Sequence, residues 1–278
     1  MNKLKIAVLL LGIISGLRCD FLVGAANNYK TISISDKSVK VGNTIFSASH
    51  SENPGYLIYA EKNGVKKLIC SGDVGFTIIT NGEEVFYKVS SIGGYKNTVY
   101  RKQIDSGISN MLFSVDSYSF DLWGYWNNKL YYVKELDPGQ FCSYELDTGD
   151  INVLMDNVTE AHQYGRYFIT NPYAGAPAIG SLGLYDANKD KIKTISKKCF
   201  AHNIISNRIY YVNISKTEIK KFYKRKPYRI NVYRCNLDGS KKKKMLSRKI
   251  NGDISKIGKK CIKYWDKKGK VHTVKYRG

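Results

Sequence analysis

Basic side chains are concentrated in a few short runs in the last quarter of the chain. The run KKFYKRKPYR covers residues 220–229, and the run KKKK covers residues 241–244. Lysine and arginine carry the positive charge that binds carboxylate and phosphate groups. Three aromatic residues in the first run, Phe222, Tyr223 and Tyr228, are of the type that stacks on bases or sugars. The candidate polyanion-binding residues are Lys220, Lys221, Lys224, Arg225, Lys226, Arg229, Lys241, Lys242, Lys243 and Lys244.

The charge of the chain is unevenly distributed. The formal net charge is +22, and residues 216–278 contain 18 Lys and 5 Arg against four acidic residues. Residues 26–215 are nearly neutral. Such asymmetry favours a basic face that attracts polyanions, with binding that weakens as salt is added. The alternative is a lysine-rich surface that serves only solubility.

Two histidines and a tryptophan form a second candidate group. His162 and His202 each follow an alanine, and Trp123 lies in the aromatic segment LWGYW. Together these three residues could line a small polar and aromatic ligand pocket. The alternative is that each histidine is a structural residue with its hydrogen bonds satisfied.

The sequence contains no recognisable catalytic or cofactor motif. We find no G-x-S-x-G nucleophile motif, no phosphate-binding loop, no HExxH pair and no EF-hand loop. The paired carboxylates of a glycosidase are defined by their separation in space, so the sequence cannot identify them. We therefore expect no cofactor and no metal site, and we keep an enzyme as the alternative reading.

The first 25 residues have the layout of a secretory signal peptide. A basic start, MNKLK, precedes the apolar run IAVLLLGIISGL at residues 6–17, and VGA ends at Ala25 with small residues suited to cleavage. The run is too short to span a bilayer, which takes about 20 apolar residues. We expect residues 26–278 to form a single exported domain that is secreted or associated with the cell surface.

Five cysteines follow the predicted signal peptide. Their number is odd, and their spacing matches neither a metal site nor a CxxC pair. We expect them to be buried as small hydrophobic residues, with one disulfide as the alternative. They are Cys70, Cys142, Cys199, Cys235 and Cys261.

Two sets of strand-like segments recur with a period of a little over forty residues. The two sets interleave and keep in step along the chain, which is the mark of a repeat architecture. The first set has an aromatic or aliphatic centre at Ile45, Phe86, Tyr131, Phe168, Tyr210 and Ile262. The second set has a tyrosine at Tyr59, Tyr100, Tyr144, Tyr185 and Tyr233.

A turn follows each tyrosine of the second set. The turns contain Asn, Asp and Gly, which tolerate the positive φ of tight hairpins, and they end at Gly64, Gly107, Gly149, Asp190 and Gly239. Each repeat therefore predicts four antiparallel strands, and no stretch shows a helical apolar period. Four strands per forty residues form the blade of a β-propeller, and six blades fit the chain. The alternative fold is a β-sandwich or a pair of small β domains. Neither of these folds requires two sets of strand-like segments that share one period.

The sixth repeat is shorter than the others. The segment CIKYWDKKGKVHTVKYRG supplies only the second and third strands of that repeat. The segment KTISIS at residues 30–35 has no other place in the pattern. We expect this N-terminal strand to pair with the last blade and close the ring, because an open ring exposes sheet edges.

The fifth repeat carries a resemblance to a known family. The sequence IYYVN, followed by a long connection and VYRCNLDGS, is similar to repeats of the bacterial domain family DUF5050. That family resembles the propellers of the low-density-lipoprotein-receptor-related proteins and TolB-type and other WD40-like propellers. The receptor YWTD signature is replaced by YYVN at residues 210–213. The resemblance implies a propeller fold and carries no catalytic residues.

These observations favour an exported, non-catalytic propeller that binds a partner. The basic face on the C-terminal blades suits an anionic cell-surface polymer, anionic lipid headgroups or an acidic protein, and export argues against nucleic acid. The first alternative is an extracellular hydrolase or lyase acting on glycan or peptide. Such an enzyme requires a cluster of carboxylates at the mouth of the propeller's central channel, supplied by residues before 190. The second is a platform for protein assembly, which requires an exposed apolar patch.

Overall fold

A computed structural model describes residues 28–34, 38–50, 55–75, 77–91, 93–134, 139–171 and 180–276. The predicted signal peptide lies outside these residues. The described residues form β-strands and one helix, and that helix is too short and too polar to cross a membrane. The chain divides into two compact units. Unit 1 comprises Met1–Leu136 and Gln140–Asp156, and unit 2 comprises Asp137–Gly139 and Asn157–Gly278.

Unit 1 contains three antiparallel sheets. Their strand orders are β2-β3-β4-β5, β1-β6-β7-β8-β9 and β10-β11-β12-β13. The strands are β1 (Lys30–Ser33), β2 (Val39–Val41), β3 (Thr44–His50), β4 (Tyr56–Lys62), β5 (Val65–Gly72), β6 (Thr77–Thr80), β7 (Glu84–Ser90), β8 (Lys96–Gln103), β9 (Ser109–Asp116), β10 (Phe120–Trp126), β11 (Lys129–Lys134), β12 (Gln140–Glu145) and β13 (Ile151–Asp156).

Unit 2 contains two antiparallel sheets and a helix. The first sheet has seven strands in the order β14 to β20, and the second has the order β21-β22-β23. The elements are β14 (Glu160–Tyr164), β15 (Tyr167–Asn171), β16 (Gly180–Asp186), β17 (Lys191–Ile205), β18 (Arg208–Asn213), α1 (Lys216–Tyr223), β19 (Tyr228–Asn236), β20 (Lys243–Ile250), β21 (Gly252–Ile257), β22 (Cys261–Asp266) and β23 (Val271–Lys275).

The predicted turns are confirmed. All five predicted turn residues have a positive φ, between 48° and 79°, and each lies in a connection between paired strands. At Gly239 a side chain would also collide, because a Cβ there would lie 2.4 Å from Ile195 Cδ1. Turn chemistry therefore fixes where these strands reverse.

The hydrophobic core lies between successive sheets within each unit. Each sheet buries alternate residues against its neighbour, as a strand with a period of two requires. In unit 1, Phe46 and Ile58 pack in one cluster with Ile78 and Val85, and Phe86 and Val99 pack in a second cluster with Leu122 and Tyr132. In unit 2, Val212 and Ile230 pack with Ile257 and Ile262.

Five of the six predicted strand centres are buried. Phe86, Tyr131, Phe168, Tyr210 and Ile262 have at most 1% of their surface exposed. The first repeat differs from the others. Ile45 is 37% exposed, and the next residue along the strand, Phe46, is fully buried instead. A shift of one residue moves a side chain to the opposite face of a sheet, so the sequence pattern was misaligned there by one position.

The N-terminal strand does not pair as predicted. Strand β1 pairs with β6 in the second sheet of unit 1, and Ile32 lies opposite Ile78. It therefore extends the second repeat, and the last sheet keeps three described strands. Side chains outside the predicted pattern hold it there, because Tyr29 donates a hydrogen bond to Glu84 and Thr31 donates one to the carbonyl of Trp123 at 3.2 Å.

The tyrosine anchor of β1 involves a buried carboxylate. Glu84 is 5% exposed, and it accepts hydrogen bonds from Arg101 and Gln103, each at 2.6 Å, besides the bond from Tyr29. The ring of Tyr29 lies 4.1 Å from that of Tyr125, centroid to centroid. The three hydrogen bonds offset the free-energy cost of removing the Glu84 carboxylate from water. The cluster therefore attaches the start of β1 to β7 and β8.

The fourth and fifth repeats form one continuous sheet. Strand β17 pairs with β16 along its first part and with β18 along its last part, so the two repeats share it. The last sheet has three strands among the described residues, without the N-terminal strand that was predicted to complete it. The closed ring of six separate blades and the single domain stay predictions.

The five described cysteines form no disulfide with one another. Cys70, Cys142, Cys199 and Cys235 are buried, as predicted, and Cys261 is partly buried. Burial raises the pKa of Cys70 and of Cys199 to about 12, and the pKa of Cys235 to about 11. These thiols therefore act as small hydrophobic residues and stay protonated at neutral pH.

We expect Cys261 to react first with iodoacetamide in the folded protein at pH 8. The other four thiols are shielded from the reagent, so peptide mapping should show them modified only after unfolding. A Cys261→Ser variant should lose this early modification, whereas Cys235→Ser should keep it. Early labelling of Cys70 or Cys199 would contradict the packing described here.

Candidate anion-binding site

Helix α1 presents the first basic run. Ser215 caps its N-terminus, where the side-chain oxygen accepts a hydrogen bond from the Glu218 backbone N–H at 3.3 Å. Glu218 lies in the first turn, and Lys220 and Lys221 lie in the last turn, which suits the helix dipole. This helix was not predicted from the sequence. The pattern Ser-x-x-Glu at 215–218 is a capping box and was the available indication.

The carboxylate of Glu218 joins the helix to the strand that follows. One oxygen accepts a hydrogen bond from Lys221 Nζ at 2.6 Å, and the other accepts one from the Arg229 backbone N–H at 2.5 Å. These two donors hold the pKa of Glu218 below its usual range. Glu218 therefore fixes α1 against the start of β19.

The ten predicted polyanion-binding residues fall into two groups. At one end of β19 lies the helix group, and at the other end lies the turn group. Arg229 pairs with Lys249 on β20, and Arg234 pairs with Lys243. These positions are five residues apart, or about 16 Å along the strand. The structure therefore does not bring all ten together. The helix group is Lys220, Lys221, Lys224, Arg225, Lys226 and Arg229, and the turn group is Lys241, Lys242, Lys243 and Lys244.

Most of this positive charge has no nearby partner. Every lysine and arginine in residues 216–276 is exposed except Arg234, which is partly buried. Among the described carboxylates, only that of Glu218 lies within 4 Å of one of these cations, at Lys221. The uncompensated charge creates a positive potential that attracts anions.

The carboxylates nearby are engaged elsewhere. Asp238 accepts a hydrogen bond from the Ser240 backbone N–H at 2.8 Å. Asp266 accepts from the backbone N–H groups of Lys268 and Lys270 and contacts His272 Nε2 at 2.7 Å. Both aspartates therefore cap hairpin turns, and these hydrogen bonds lower the pKa of each.

The turn group has structural roles of its own. Lys242 Nζ lies 5.0 Å from the ring centroid of Tyr233 and 5.5 Å from that of Tyr211, which are cation–π distances. Lys243 and Lys244 lie on β20, the edge strand of its sheet. Lysine on an edge strand discourages pairing with other chains. In the helix group, Lys221 and Arg229 contact Glu218. The side chains of the other four members make no hydrogen bond, ion pair or cation–π contact with the described residues, so the helix group is the better candidate for binding.

A pocket lies beside the helix group. Its volume is about 600 Å³, within the range of small-molecule sites. We call it the helix pocket. It is lined by Phe222, Tyr223, Arg225, Lys226, Tyr228, Asn251, Gly252, Asp253, Asp266, Lys267 and Gly269. The last six come from the β20–β21 connection, β21 and the β22–β23 hairpin. None of them was predicted from the sequence to belong to a site.

The two predicted pocket histidines are close enough to influence each other. Burial lowers the pKa of His202, the nearby His162 lowers it further, and Glu160 opposes the change. His162 Nε2 lies 3.7 Å from a Glu160 carboxylate oxygen. Trp123 lies on β10 in unit 1, whereas both histidines lie in unit 2. The pocket of Trp123, His162 and His202 therefore stays a prediction.

Within the described ranges, no group of three His, Cys, Asp or Glu residues could hold a metal ion.

The comparisons with known proteins concern the fold. No protein-family model and no curated protein matches the sequence. The chain is similar to the propeller domain of the Trilobed protease from Pyrococcus furiosus, with a TM-score of 0.52 and 10% identity, over 88% of this chain and 86% of that one. The fold is that of a β-propeller.

Two further solved structures resemble the chain. A prolyl endopeptidase gives a TM-score of 0.55 at 13% identity, over 93% of this chain and 45% of that one. This chain therefore spans less than half the length of that enzyme. TolB from Acinetobacter baumannii gives a TM-score of 0.41 at 10% identity, over 84% of this chain and 64% of that one. Likenesses at such identities concern the fold alone, and membership of DUF5050 stays a prediction.

We expect Glu218→Gln to loosen helix α1 without unfolding unit 2. The variant loses the charge that strengthens the bonds to Lys221 and Arg229, so amides of residues 216–226 should exchange with deuterium about fivefold faster. Mass spectrometry of exchanged peptides measures this. Glu83→Gln, which removes a carboxylate paired with Lys62 in unit 1, is the control and should leave these amides unchanged. Equal exchange in wild type and Glu218→Gln would contradict the role of Glu218.

We expect the protein to lose stability as the pH falls from 7.5 to 5.5. His202 takes up a proton less readily when folded than when unfolded, where its pKa is about 6.5. The unfolded state therefore binds more protons in this window, and lowering the pH favours it. Thermal melts should show a smaller pH dependence in His202→Gln than in the wild type. His50→Gln, an exposed histidine in unit 1, is the control; an identical slope in all three proteins would refute this role.

Proposed function

We propose that the protein is an exported, non-catalytic β-propeller of six repeats that binds an anionic polymer at the cell surface. The helix group supplies the main contacts, and the turn group adds to the general positive field. One observation carries the proposal: every lysine and arginine of residues 216–276 except Arg234 is exposed, and all of them except Lys221 lack a described carboxylate within ion-pairing distance. Predicted secretion makes cell-wall polymers and acidic glycans the accessible anions.

The arrangement of the helix group supports binding rather than solubility alone. A solubilising surface needs no particular geometry, and edge protection accounts for lysines on β20. All members of the helix group except Arg229, which lies on β19, are in the connection between β18 and β19. A capped helix and the Glu218 carboxylate hold this connection in place. Connections fixed on a rigid sheet are where binding residues concentrate.

The predicted alternative, a hydrolase or lyase, has no observation of its own. The buried carboxylate of Glu84 accepts hydrogen bonds from three side chains in unit 1. The hydrogen bonds of Glu84 serve to attach β1 to its sheet, so they do not indicate a catalytic role. The enzyme therefore stays an alternative prediction, and binding is the function that the site supports best.

Two variants with the same change in charge test the proposal. The helix variant replaces Lys220, Lys224, Lys226 and Arg229 with Gln, and the turn variant replaces Lys241, Lys242, Lys243 and Lys244 with Gln. Binding to immobilised polygalacturonate and polyphosphate is measured from 50 to 500 mM NaCl. We expect the wild type to bind both at low salt and to weaken steeply as salt increases. At 100 mM NaCl the helix variant should bind at least about tenfold more weakly, and the turn variant about threefold more weakly.

Either of two results would count against this proposal. If the wild type binds neither polymer at 50 mM NaCl, the basic residues are not a polyanion site. If both variants weaken binding equally, binding depends on the total positive charge and not on its position, and the helix group is not the contact surface. Circular dichroism of each variant confirms that the sheets are intact.

A further inference from the structure

The helix pocket combines charges of both signs. Arg225, Lys226 and Lys267 line it together with Asp253, and Asn251 adds an amide. A site for phosphate groups alone would gather cations, because a carboxylate beside them repels the ligand. Carboxylate and amide oxygens accept hydrogen bonds from hydroxyl groups. The mixture fits a ligand that carries an acidic group and several hydroxyls together.

The polar groups of the pocket are available for a ligand. Among the described residues, no carboxylate lies within 4 Å of the charged nitrogens of Arg225, Lys226 or Lys267, and Asp253 makes neither a side-chain hydrogen bond nor an ion pair. Asp266 differs, because its oxygens are taken by backbone N–H groups and by His272. Asp253 is therefore the free acceptor and the three basic residues are the free donors.

Aromatic rings form the apolar part of the pocket. Phe222 packs edge-on against Tyr228 at 5.2 Å and against Phe200 at 5.3 Å, centroid to centroid, which fixes its position. Tyr223 is 58% exposed, and its ring lies 5.9 Å from that of Phe222. An exposed tyrosine beside polar groups offers a flat apolar surface with a hydroxyl at its end. The C–H face of a sugar ring fits such a surface.

Arg225 occupies a backbone position that favours glycine. It follows Lys224, the C-cap of α1, and has a φ of 51°, in the left-handed region. Glycine is the usual residue just past a helix end, because a Cβ is unfavourable in this conformation. An arginine held there costs stability, and such positions concentrate at functional sites. Its side chain lines the pocket, where it is placed to contact a ligand.

We infer that the helix pocket binds one hexuronic acid unit of an acidic glycan. The sugar carboxylate pairs with Arg225 and the neighbouring lysines, the sugar hydroxyls donate to Asp253, and the ring lies on Tyr223. This inference rests on the proposed function and names the class of polymer that the helix group binds. An arginine fits a carboxylate with two parallel hydrogen bonds, so it gives direction as well as charge.

The first test uses two glycine variants. Lys241 also has a φ of 51°, so Arg225→Gly and Lys241→Gly remove one charge each and relieve the same backbone conformation. Both should raise the melting temperature. Titration calorimetry with trigalacturonate at 150 mM NaCl should show at least about tenfold weaker binding for Arg225→Gly and at most about twofold for Lys241→Gly, because charges beyond about 8 Å are screened. Equal losses in the two variants would overturn the pocket.

The second test separates a sugar acid from a phosphate. Asp253→Ala should weaken trigalacturonate, because a hydroxyl loses its acceptor, and should strengthen tripolyphosphate, because a repulsive charge is removed. Weaker binding of trigalacturonate together with stronger binding of tripolyphosphate supports the inference. Stronger binding of both ligands would show that the pocket responds to charge alone. Equally tight binding of a neutral galactose trimer would also overturn it, because no carboxylate would be needed.

The failures of the two proposals are distinguishable. If the wild type binds polygalacturonate in the salt series but does not bind trigalacturonate, polyanion binding stands and the single-unit pocket is wrong. If it binds neither, both are wrong. Tripolyphosphate bound more tightly than trigalacturonate by the wild type would assign the pocket to phosphate polymers instead.

Discussion

A four-stranded antiparallel sheet of forty residues cannot cover both of its own faces, and everything else in this chain follows from that constraint. In each unit the core lies between successive sheets, and the same cross-strand pair recurs. Tyr87 stacks on Tyr100 and Tyr211 stacks on Tyr233, both with ring centroids 5.5 Å apart. Stacking of these rings sets the position of neighbouring strands and places no constraint on the segments that connect them. Helix α1, which has no buried residue, occupies one of those connections, so a binding surface is added there without disturbing the core.

The repeat was predictable because each part of it depends on local chemistry. Turn residues must tolerate positive φ, and central strands must place large apolar residues on buried faces. The failures came where distant contacts decide. Strand β1 has an alternating pattern that fits any open sheet edge, and the bond from Tyr29 to Glu84, 55 residues away, selects the second sheet. The slip at Ile45 arose because both Ile45 and Phe46 are acceptable strand centres in a pattern read without its neighbours.

The candidate site was predictable in composition and not in geometry. Runs of lysine and arginine located the charge, but the register of β19 on β20 divides those residues between two ends of a strand. The helix pocket draws Asn251, Asp253 and Lys267 from elements 25 to 45 residues beyond α1, and no spacing along the chain brings these residues together. Their juxtaposition follows from packing of the last sheet against the end of the seven-stranded one.

The continuous strand β17 affects how this part of the molecule opens. Its 15 residues complete the fourth repeat at one end and begin the fifth at the other. In an array of separate repeats, each neighbour can fray alone, and stability is a sum over units and their interfaces. Here the two ladders meet within one strand, because Cys199 is paired with Gly180 on β16 and with Asn213 on β18. The two therefore open as one cooperative segment, and the hairpin that carries α1 gains the kinetic persistence of both.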